Sequence, residues 1–350
     1  MVYEKIDLNG RKIGQGEACF IIAEAGVNHN GDIKLALQLV KAAARAGADA
    51  VKFQLYNVEE QVLRKAKTVS YQQKRTGANL MIEMAKSYDL PWEAHKEIAE
   101  YCKKLNIMYM SSCFDRNAVD FLLNLGCECI KVGSGEITNF PLLAHMSSTG
   151  KPILLSTGMS ELSEVAEAVE HIRASGKSQL ALFHCVSSYP ADPSSINLHV
   201  MKNLEAIFGV PVGFSDHTVG NEVACAAVAL GASLIEKHFT LDKKLPGPDH
   251  AMSLNPEELK NLIDDIRTVE SALGDGLKKV DTSERENRIA ARRGLVSICD
   301  IFAGETLSKT NSAFKRPAIG VDPRFYRVVI GKKVNRTIRA DEPITWDMLS

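Results

Sequence analysis

The sequence carries no excess of charge of either sign. Its 350 residues include 42 basic and 43 acidic side chains, and the formal net charge is -1. A nucleic-acid-binding surface or a membrane-binding basic segment needs a concentration of positive charge, which this balance does not supply. We therefore expect neither nucleic acid nor membrane as a partner, and any attraction for an anionic ligand must be local.

Long apolar runs are also missing. No stretch of about 18 apolar residues is present, so we expect no transmembrane segment. Residues 1–5 contain no apolar run typical of a signal peptide. The eight cysteines form no paired CxxC motifs, which disfavours a cysteine metal site. We interpret them as reduced core thiols and expect a cytoplasmic protein.

The sequence contains a repeated alternation of short apolar runs and longer amphipathic segments. Hydrophobic residues are 45% of the chain, enough for a large core. Short apolar runs predict strands at residues 20–25, 50–55, 107–111, 129–132, 152–156, 180–185, 210–214 and 233–238. Amphipathic segments predict helices at residues 33–46, 92–105, 118–125, 162–174, 219–230 and 256–273. The glycines at 47, 126, 176 and 231 follow such segments, where a left-handed helix end is expected.

This alternation predicts an α/β fold with a parallel sheet covered on both faces. Eight units close naturally into a (β/α)8 TIM barrel. An open, doubly wound sheet is the alternative. It is weakened because no GxGxxG motif follows the first run, where residues 23–28 read AEAGVN. For the same reason we expect no nucleotide cofactor.

The pattern changes near residue 275. We assign residues 1–275 to the barrel and the glycine-bearing, charged residues 276–293 to a linker. Residues 294–350 form short β-like runs separated by glycine and proline, which indicate a small β-rich domain. Its core is thin for independent stability, so we expect it to pack on the barrel or on a partner chain.

Polar and ionisable residues stand at the carboxyl end of nearly every predicted strand. In a TIM barrel those ends form the active site. Any single one of them is explained by a solvated strand tip, but their convergence is not. The candidates for acid–base work are Glu24, Glu136, Glu236 and Asp249. The candidates for holding a phosphate or carboxylate are Lys52, Lys131, Ser134, Ser156 and Ser215.

Two histidines end neighbouring predicted strands, His217 and His238. Neutral imidazole is a common ligand for divalent metals, and carboxylates or waters complete such shells. The pair predicts a metal site, although no local motif such as HExxH supports it. In the tail, Arg316 precedes a proline, where an ordinary surface position is the simpler interpretation.

Several motifs together resemble the sialic acid synthase family, whose members end in an antifreeze-like SAF domain. In chain order they are IAEAGVNHNG (22–31), VKFQ (51–54), KVGSGE (131–136), STGM (156–159), HCVSSYP (184–190), GFSDH (213–217), EKHFT (236–240) and, in the tail, KRPAIG (315–320). The resemblance covers essentially the whole chain.

The resemblance implies condensation of phosphoenolpyruvate (PEP) with an N-acylmannosamine-type aldose, giving a nine-carbon 2-keto acid (a nonulosonic acid) and phosphate. It implies Mn²⁺ or Mg²⁺ held by His217 and His238. The residues that it assigns to PEP are Lys52, Lys131, Ser134, Ser156 and Ser215. Those that it assigns to the sugar are Gln54, Glu136, Tyr189 and Arg316. It also implies that Glu24 and Asp249 handle water and the developing cation.

The same resemblance implies a homodimer in which Arg316 of one subunit reaches the partner's barrel. Two other functions stay open. Another PEP-dependent keto-sugar synthase needs a further basic site for a sugar phosphate, and a non-catalytic carbohydrate-associated protein predicts loss of the lysine and histidine set. The sugar is open too. The segment YQQKRTG (71–77) is a predicted sugar-facing loop, and N-acetylmannosamine and 2,4-diacetamido-2,4,6-trideoxymannose both fit.

Overall fold

The computed structural model describes residues 4–174 and 176–350, so the interpretation of residues 1–5 falls partly outside the described residues. The chain divides into two compact units, the first ending at Gly274 and the second running from Asp275 to Ser350. No helix in the described part of the chain is long and apolar enough to cross a membrane.

A closed barrel of eight parallel strands forms the first unit, which confirms the predicted (β/α)8 fold. Its strands are β3 (Phe20–Gly26), β4 (Ala50–Leu55), β5 (Met108–Cys113), β6 (Ile130–Val132), β7 (Ile153–Ser156), β8 (Leu180–Cys185), β9 (Val212–Asp216) and β10 (Leu234–His238). Each strand pairs with the next along the chain, and β10 closes the ring by pairing with β3.

Helices surround the barrel. They are α1 (Ile33–Ala46), α2 (Val58–Gln61), α3 (Ser70–Thr76), α4 (Met81–Ser87), α5 (Trp92–Lys104), α6 (Arg116–Asn124), α7 (Phe140–Ser148), α8 (Leu162–Ala174), α9 (Val200–Phe208), α10 (Glu222–Ala229) and α11 (Pro256–Leu273). All six predicted helices are present. The four predicted helix-end glycines all have positive φ angles.

Helices α2, α3, α4, α7 and α9 were not predicted. The first four residues of α7 read FPLL and its seventh is methionine, so apolar residues surround it and no polar stripe marks its period. In α9 the nine residues from Val200 to Phe208 give only two and a half turns of pattern. Short helices of these kinds are the hardest to distinguish from buried strands.

The amino end of the barrel is closed by a hairpin of β1 (Ile6–Leu8) and β2 (Arg11–Ile13). Its side chains Ile6, Leu8 and Ile13 are buried and cluster with inward-facing residues from the first halves of the strands, such as Phe20 and Leu234. A larger apolar cluster fills the space between the outer face of the sheet and the helices. With the amino end of the interior filled by apolar side chains, the open cavity lies at the carboxyl end.

The second unit begins with a short 3-10 turn (Thr282–Glu284) and helix α12 (Arg285–Ala291), both exposed. A two-stranded antiparallel sheet follows, of β11 (Gly294–Ser297) and β12 (Ser312–Lys315), and then helix α13 (Tyr326–Val329). Its own apolar core consists of Leu295, Ile301, Leu307, Val321, Val329, Val334, Ile338, Ile344 and Met348.

Candidate active site

A cavity of about 740 Å³ opens at the carboxyl ends of the barrel strands. It brings together most of the residues that the sequence singled out: Glu24, Lys52, Gln54, Lys131, Ser134, Ser156, Tyr189, Ser215, His217, Glu236, His238 and Asp249. They converge because inward-facing side chains at the strand tips all point toward one axis.

Strand register places three of these residues side by side. His238 on β10 is level with Glu24 on β3, and Glu24 is level with Lys52 on β4. Because alternate residues of a strand share a face, Gln54 lies one step further up the same wall as Lys52. The chemistry therefore lies in a layer across neighbouring strands.

Four buried charges form the floor of the cavity. The Lys52 Nζ atom lies 2.8 Å from Glu24 Oε2 and 3.6 Å from Glu236 Oε2. The Lys131 Nζ atom lies 3.7 Å from the same Glu236 oxygen. Each of the four residues is at most 5% exposed. Burying isolated charges costs several kcal/mol each, so this cluster is tolerable only because opposite charges face each other.

The two carboxylates of the floor have opposite protonation behaviour. Burial raises the pKa of Glu24 to about 7, and the Lys52 ammonium offsets this only partly. Burial also acts to raise the pKa of Glu236, but Lys131 and Lys52 outweigh it and lower that pKa to about 2. A pair of acids separated in this way provides one group that exchanges a proton near neutral pH and one that stays ionised.

Hydroxyl groups surround the two ammonium groups. Lys131 Nζ donates to Ser156 Oγ at 2.6 Å, and Lys52 Nζ donates to Ser112 Oγ at 3.0 Å. Ser215 Oγ donates to Glu236 Oε1 at 2.9 Å. Ammonium and hydroxyl groups are the donors that phosphate and carboxylate groups accept from. The floor of the cavity is thus suited to a small, highly charged anion.

The backbone amide of Gly158 donates to Ser134 Oγ at 3.0 Å. The accepted bond uses one lone pair of the Ser134 hydroxyl, so its O–H remains a donor, and the Cys185 thiol is one partner within its reach. A side chain at Gly158 would collide with Ser187 and come within 2.8 Å of Ser134 Oγ. Only glycine permits this close approach.

The two histidines face each other with ring centroids 5.5 Å apart. His217 Nδ1 donates to the Val186 carbonyl at 2.8 Å, so Nε2 is the nitrogen that carries the lone pair when the ring is neutral. Burial acts to lower the pKa of His217, but Cys185 and the Val186 carbonyl outweigh it and raise that pKa. The buried Nδ1 atom of His238 has no hydrogen-bond partner among the described residues and lies 4.0 Å from Asp249 Oδ2. Burial also holds the pKa of His238 well below its usual range.

Imidazoles that have a ring nitrogen available when neutral fit a divalent metal, which would displace the proton that His217 takes up. Within residues 4–174 and 176–350, however, no group of three or more His, Cys, Asp or Glu side chains is arranged as a metal site. Two protein ligands are therefore the most that these side chains offer without rearrangement. Water or substrate oxygens would complete the shell.

Aromatic rings form one side of the cavity mouth. The Tyr71 ring, from α3, stacks on Tyr189 at 5.8 Å, and Tyr189 in turn lies 4.3 Å from the His217 ring. Arg75 holds α3 in place by donating to the Pro248 carbonyl. Apolar side chains continue this wall: Val62, Val69, Met81, Met84, Ala85 and Phe114.

Two of the predicted site residues are placed elsewhere. Glu136 is half-buried in the short 3-10 turn Ser134–Glu136 and accepts a hydrogen bond from Asn139 Nδ2 at 2.8 Å. It is not among the described residues that line the cavity. Arg316 belongs to the second unit, where its side chain is exposed. The roles of both stay predictions.

Other lining residues were not among the predicted set. Ser112 follows Met110 by two residues on β5, so strand alternation alone places it on the inner face with Gln54, its neighbour in register. Cys185 ends β8 beside His217, with Sγ 3.8 Å from Nδ1, but its thiol resembles the other core cysteines in sequence. Tyr71, by contrast, belongs to the segment 71–77 that was predicted as a sugar-facing loop; the segment forms helix α3 through Thr76, and its Tyr71 and Gln72 line the cavity.

Comparisons with known proteins identify the family of the chain. The NeuB family matches residues 39–278, and the SAF domain matches residues 292–350. The N,N'-diacetyllegionaminic acid synthase of Campylobacter jejuni is 45% identical over 327 residues, covering 93% of this chain and 98% of that protein. The synthase of the same name from Legionella pneumophila is 42% identical over 346 residues, covering 97% of each.

Among solved structures, the N-acetylneuraminic acid (sialic acid) synthetase of Leptospira borgpetersenii, in complex with citrate, is 35% identical. It covers 81% of this chain and 95% of that one, with a TM-score of 0.73. Sequence and structure comparisons thus point to the same group of proteins.

Proposed function

The chain belongs to the NeuB family and carries a SAF domain, and we propose that it condenses PEP with an N-acylmannosamine-type aldose to give a nonulosonic acid and phosphate. One observation carries the proposal. The buried layer of Glu24, Lys52, Glu236 and Lys131 adjoins the His217–His238 pair in one cavity. It offers an anion site and an aldehyde-activating site side by side.

The charge of the floor supports PEP as the anion. With both carboxylates ionised, the two lysines are neutralised. The floor thus presents two cationic donors to an anion without a net charge that would be costly to bury. The surrounding hydroxyls of Ser112, Ser134 and Ser156 supply further donors for phosphate and carboxylate oxygens.

In this proposal His217 and His238 would hold Mn²⁺ or Mg²⁺, and the ion would supply Lewis-acid activation of the sugar aldehyde. The remaining chemistry belongs to the chain. The site holds the C3 carbon of PEP against the aldehyde carbon. Attack of C3 on that carbon forms the new carbon–carbon bond and leaves positive charge at C2 of PEP. Orientation of this kind is worth on the order of 7–11 kcal/mol in the best cases.

Carboxylates next to that carbon stabilise the charge and position the water that adds to C2. Glu24 is suited to take the proton of this water, since its pKa lies near neutral pH. Glu236 stays ionised and keeps the ammonium groups of Lys52 and Lys131 directed at the anion. Collapse of the tetrahedral intermediate then breaks the C–O bond and releases phosphate.

The cavity wall favours 2,4-diacetamido-2,4,6-trideoxymannose, with N-acetylmannosamine as the alternative. Met81, Met84 and Phe114 present an apolar surface suited to a methyl group and an acetamido methyl. Lys52 and Lys131 are the basic residues of the described lining, and both are engaged with carboxylates. A phosphorylated sugar finds no additional cation there.

The last part of the proposal concerns the SAF domain and two residues assigned to the sugar, Glu136 and Arg316. We propose that the chain is a homodimer in which the SAF domain of each subunit covers the partner's barrel and Arg316 contacts the sugar. A closed mouth excludes bulk water from the reacting centre. Truncation after residue 280 tests this, since the barrel should stay folded by circular dichroism while turnover is lost. Full activity of the fragment would contradict the role of Arg316.

The reaction is tested with PEP carrying ¹⁸O at the bridging position. We expect phosphate release that depends on an acylated sugar, stops with EDTA, and returns with Mn²⁺. The ¹⁸O should appear in the phosphate, because C–O cleavage carries the bridging oxygen away with it. Lys131→Met serves as the inactive control. Label retained in the keto acid, or no sugar-dependent release with either sugar, would refute the proposal.

A further inference from the structure

A second buried ion pair lies just outside the cavity, behind the two histidines. Asp216 is the last residue of β9 and Lys237 the last but one of β10, and each is 1% exposed. Strand alternation turns both side chains away from the cavity, since Ser215, His217, Glu236 and His238 face into it. Nothing in the proposed reaction uses this pair.

The contacts of the pair close around the backbone of His217. Lys237 Nζ donates to Asp216 Oδ2 and to the Thr218 carbonyl, both at 2.6 Å. The other oxygen of Asp216 accepts from the backbone N–H and the hydroxyl of Thr218, both at 2.8 Å. The residues on both sides of His217 are therefore tied to a single ammonium group, and that group belongs to the residue before His238.

These side-chain hydrogen bonds connect β9 and β10 beyond the point where their backbone pairing ends. The pairing of β9 with β10 stops at the Asp216–Lys237 step, so His217 is the first residue beyond the paired strand. The His217 carbonyl accepts a hydrogen bond from the Ala191 N–H at 2.9 Å, which ties it to the loop after β8 and not to the strand that carries His238. The ammonium group of Lys237 links the backbone around His217 to β10 beyond the end of the ladder.

Stability alone does not explain why a buried ion pair links the backbone around His217 to β10. A buried pair gains little over well-packed apolar side chains, because both charges lose their hydration. Leucine or methionine would fill the same space, but neither could donate to the Thr218 carbonyl. What the pair provides is a fixed geometry, set by directional bonds.

We propose that Lys237 and Asp216 are positioning residues that set the placement of His217 relative to His238 and thereby the affinity of the site for a divalent cation. The inference rests on the proposed role of the two histidines as metal ligands. Outer groups that orient metal ligands typically change metal affinity by about 10- to 100-fold when removed.

The test is a titration of the full-length chain with Mn²⁺. Electron paramagnetic resonance measures the concentration of free Mn²⁺ at each step and so gives the dissociation constant. The variants are Lys237→Met, and the double variant Lys237→Met with Asp216→Asn, which leaves no unpaired buried charge. Arg267→Met is the matched control. Arg267 donates to the Cys19 carbonyl at 2.9 Å and lies 3.3 Å from Asp49 Oδ2, at the opposite end of the barrel.

We expect both Lys237 variants to bind Mn²⁺ about tenfold or more weakly than the wild type, at a temperature where circular dichroism shows them folded. The double variant should recover stability relative to Lys237→Met, but not affinity. Arg267→Met should bind Mn²⁺ as the wild type does. A folded double variant with wild-type affinity would overturn the inference.

The histidine variants separate the two claims. If His217→Ala and His238→Ala bind Mn²⁺ as tightly as the wild type, the proposed metal site fails and the inference falls with it. If both lose Mn²⁺ while the double variant keeps it, the metal site stands and only the positioning role of Lys237 and Asp216 is refuted.

Discussion

Replacement of Glu24 by glutamine is the sharpest test of the charge arrangement. The side chain keeps its size and loses its ability to ionise. In the wild type, burial raises the pKa of Glu24 from 4.5 to about 7. At Glu24 the folded state therefore binds more protons than the unfolded state between these two pH values, so the contribution of this group to the stability of the wild type falls as the pH rises through that window.

The size of the effect follows from the same two values. Each pKa unit corresponds to 1.36 kcal/mol, so the stability lost between pH 4.5 and 7 through this one group is roughly 3 kcal/mol. Urea unfolding at about pH 5 and about pH 8 measures it. The difference in unfolding free energy between wild type and Glu24→Gln should shift in favour of the variant as the pH rises.

Activity provides an independent measure of the same group. If the carboxylate of Glu24 takes the proton of the attacking water, kcat/KM of the wild type should drop to about a tenth of its plateau one pH unit below the pKa. The phosphate of PEP also titrates near pH 6, which is why the substrate-free unfolding measurement is needed beside it. Glu24→Gln should lose about 10²- to 10⁴-fold in kcat.

Asp249→Asn is the matched control, because burial also raises the pKa of Asp249, to about 6. That variant should keep the pH dependence assigned to Glu24. The reasoning is refuted if Glu24→Gln shows the same change of stability with pH as the wild type, or keeps activity within a few-fold of it.

Two further predictions concern the walls of the cavity. Gly158→Ala should lower the free energy of unfolding by about 1–3 kcal/mol through overpacking against Ser187, and it should raise the KM for PEP because Ser134 is displaced; an unchanged KM would contradict the role of Ser134. Tyr71→Ala removes the ring stacked on Tyr189, so the KM for the sugar should rise about tenfold or more with that for PEP unchanged, as steady-state kinetics with each substrate varied in turn would show.

Much of the barrel could be predicted because its strands are buried on both faces. A residue such as Ile21 packs against helices while its neighbour Ile22 faces the barrel axis, so both must be apolar and the run is continuous. The same continuity makes an acid or histidine at a strand tip conspicuous. Glu24 and His238 stood out for this reason, and they lie side by side in register.

Side chains that reach the cavity from outside the strands could not be found in this way. Tyr71 lies on α3, a helix of seven residues without a buried residue of its own, so no periodicity marks it. Glu136 shows the opposite case. It follows a strand closely, as the pattern requires, but the 3-10 turn that starts at Ser134 directs its carboxylate to Asn139. Position after a strand limits where a residue lies, while the turn decides where its side chain points.

Lys237 and Asp216 show why a polar residue in a buried strand cannot be assigned from the sequence alone. Both stand in the motifs that also contain the two histidines, and alternation assigns them to the opposite face. From the pattern alone they are two charged residues on a face of the sheet where apolar residues are expected. The contacts show that they satisfy one another and hold Thr218. The outer face of a barrel strand can carry residues that position those on its inner face, and we infer this role for Lys237 and Asp216 toward His217.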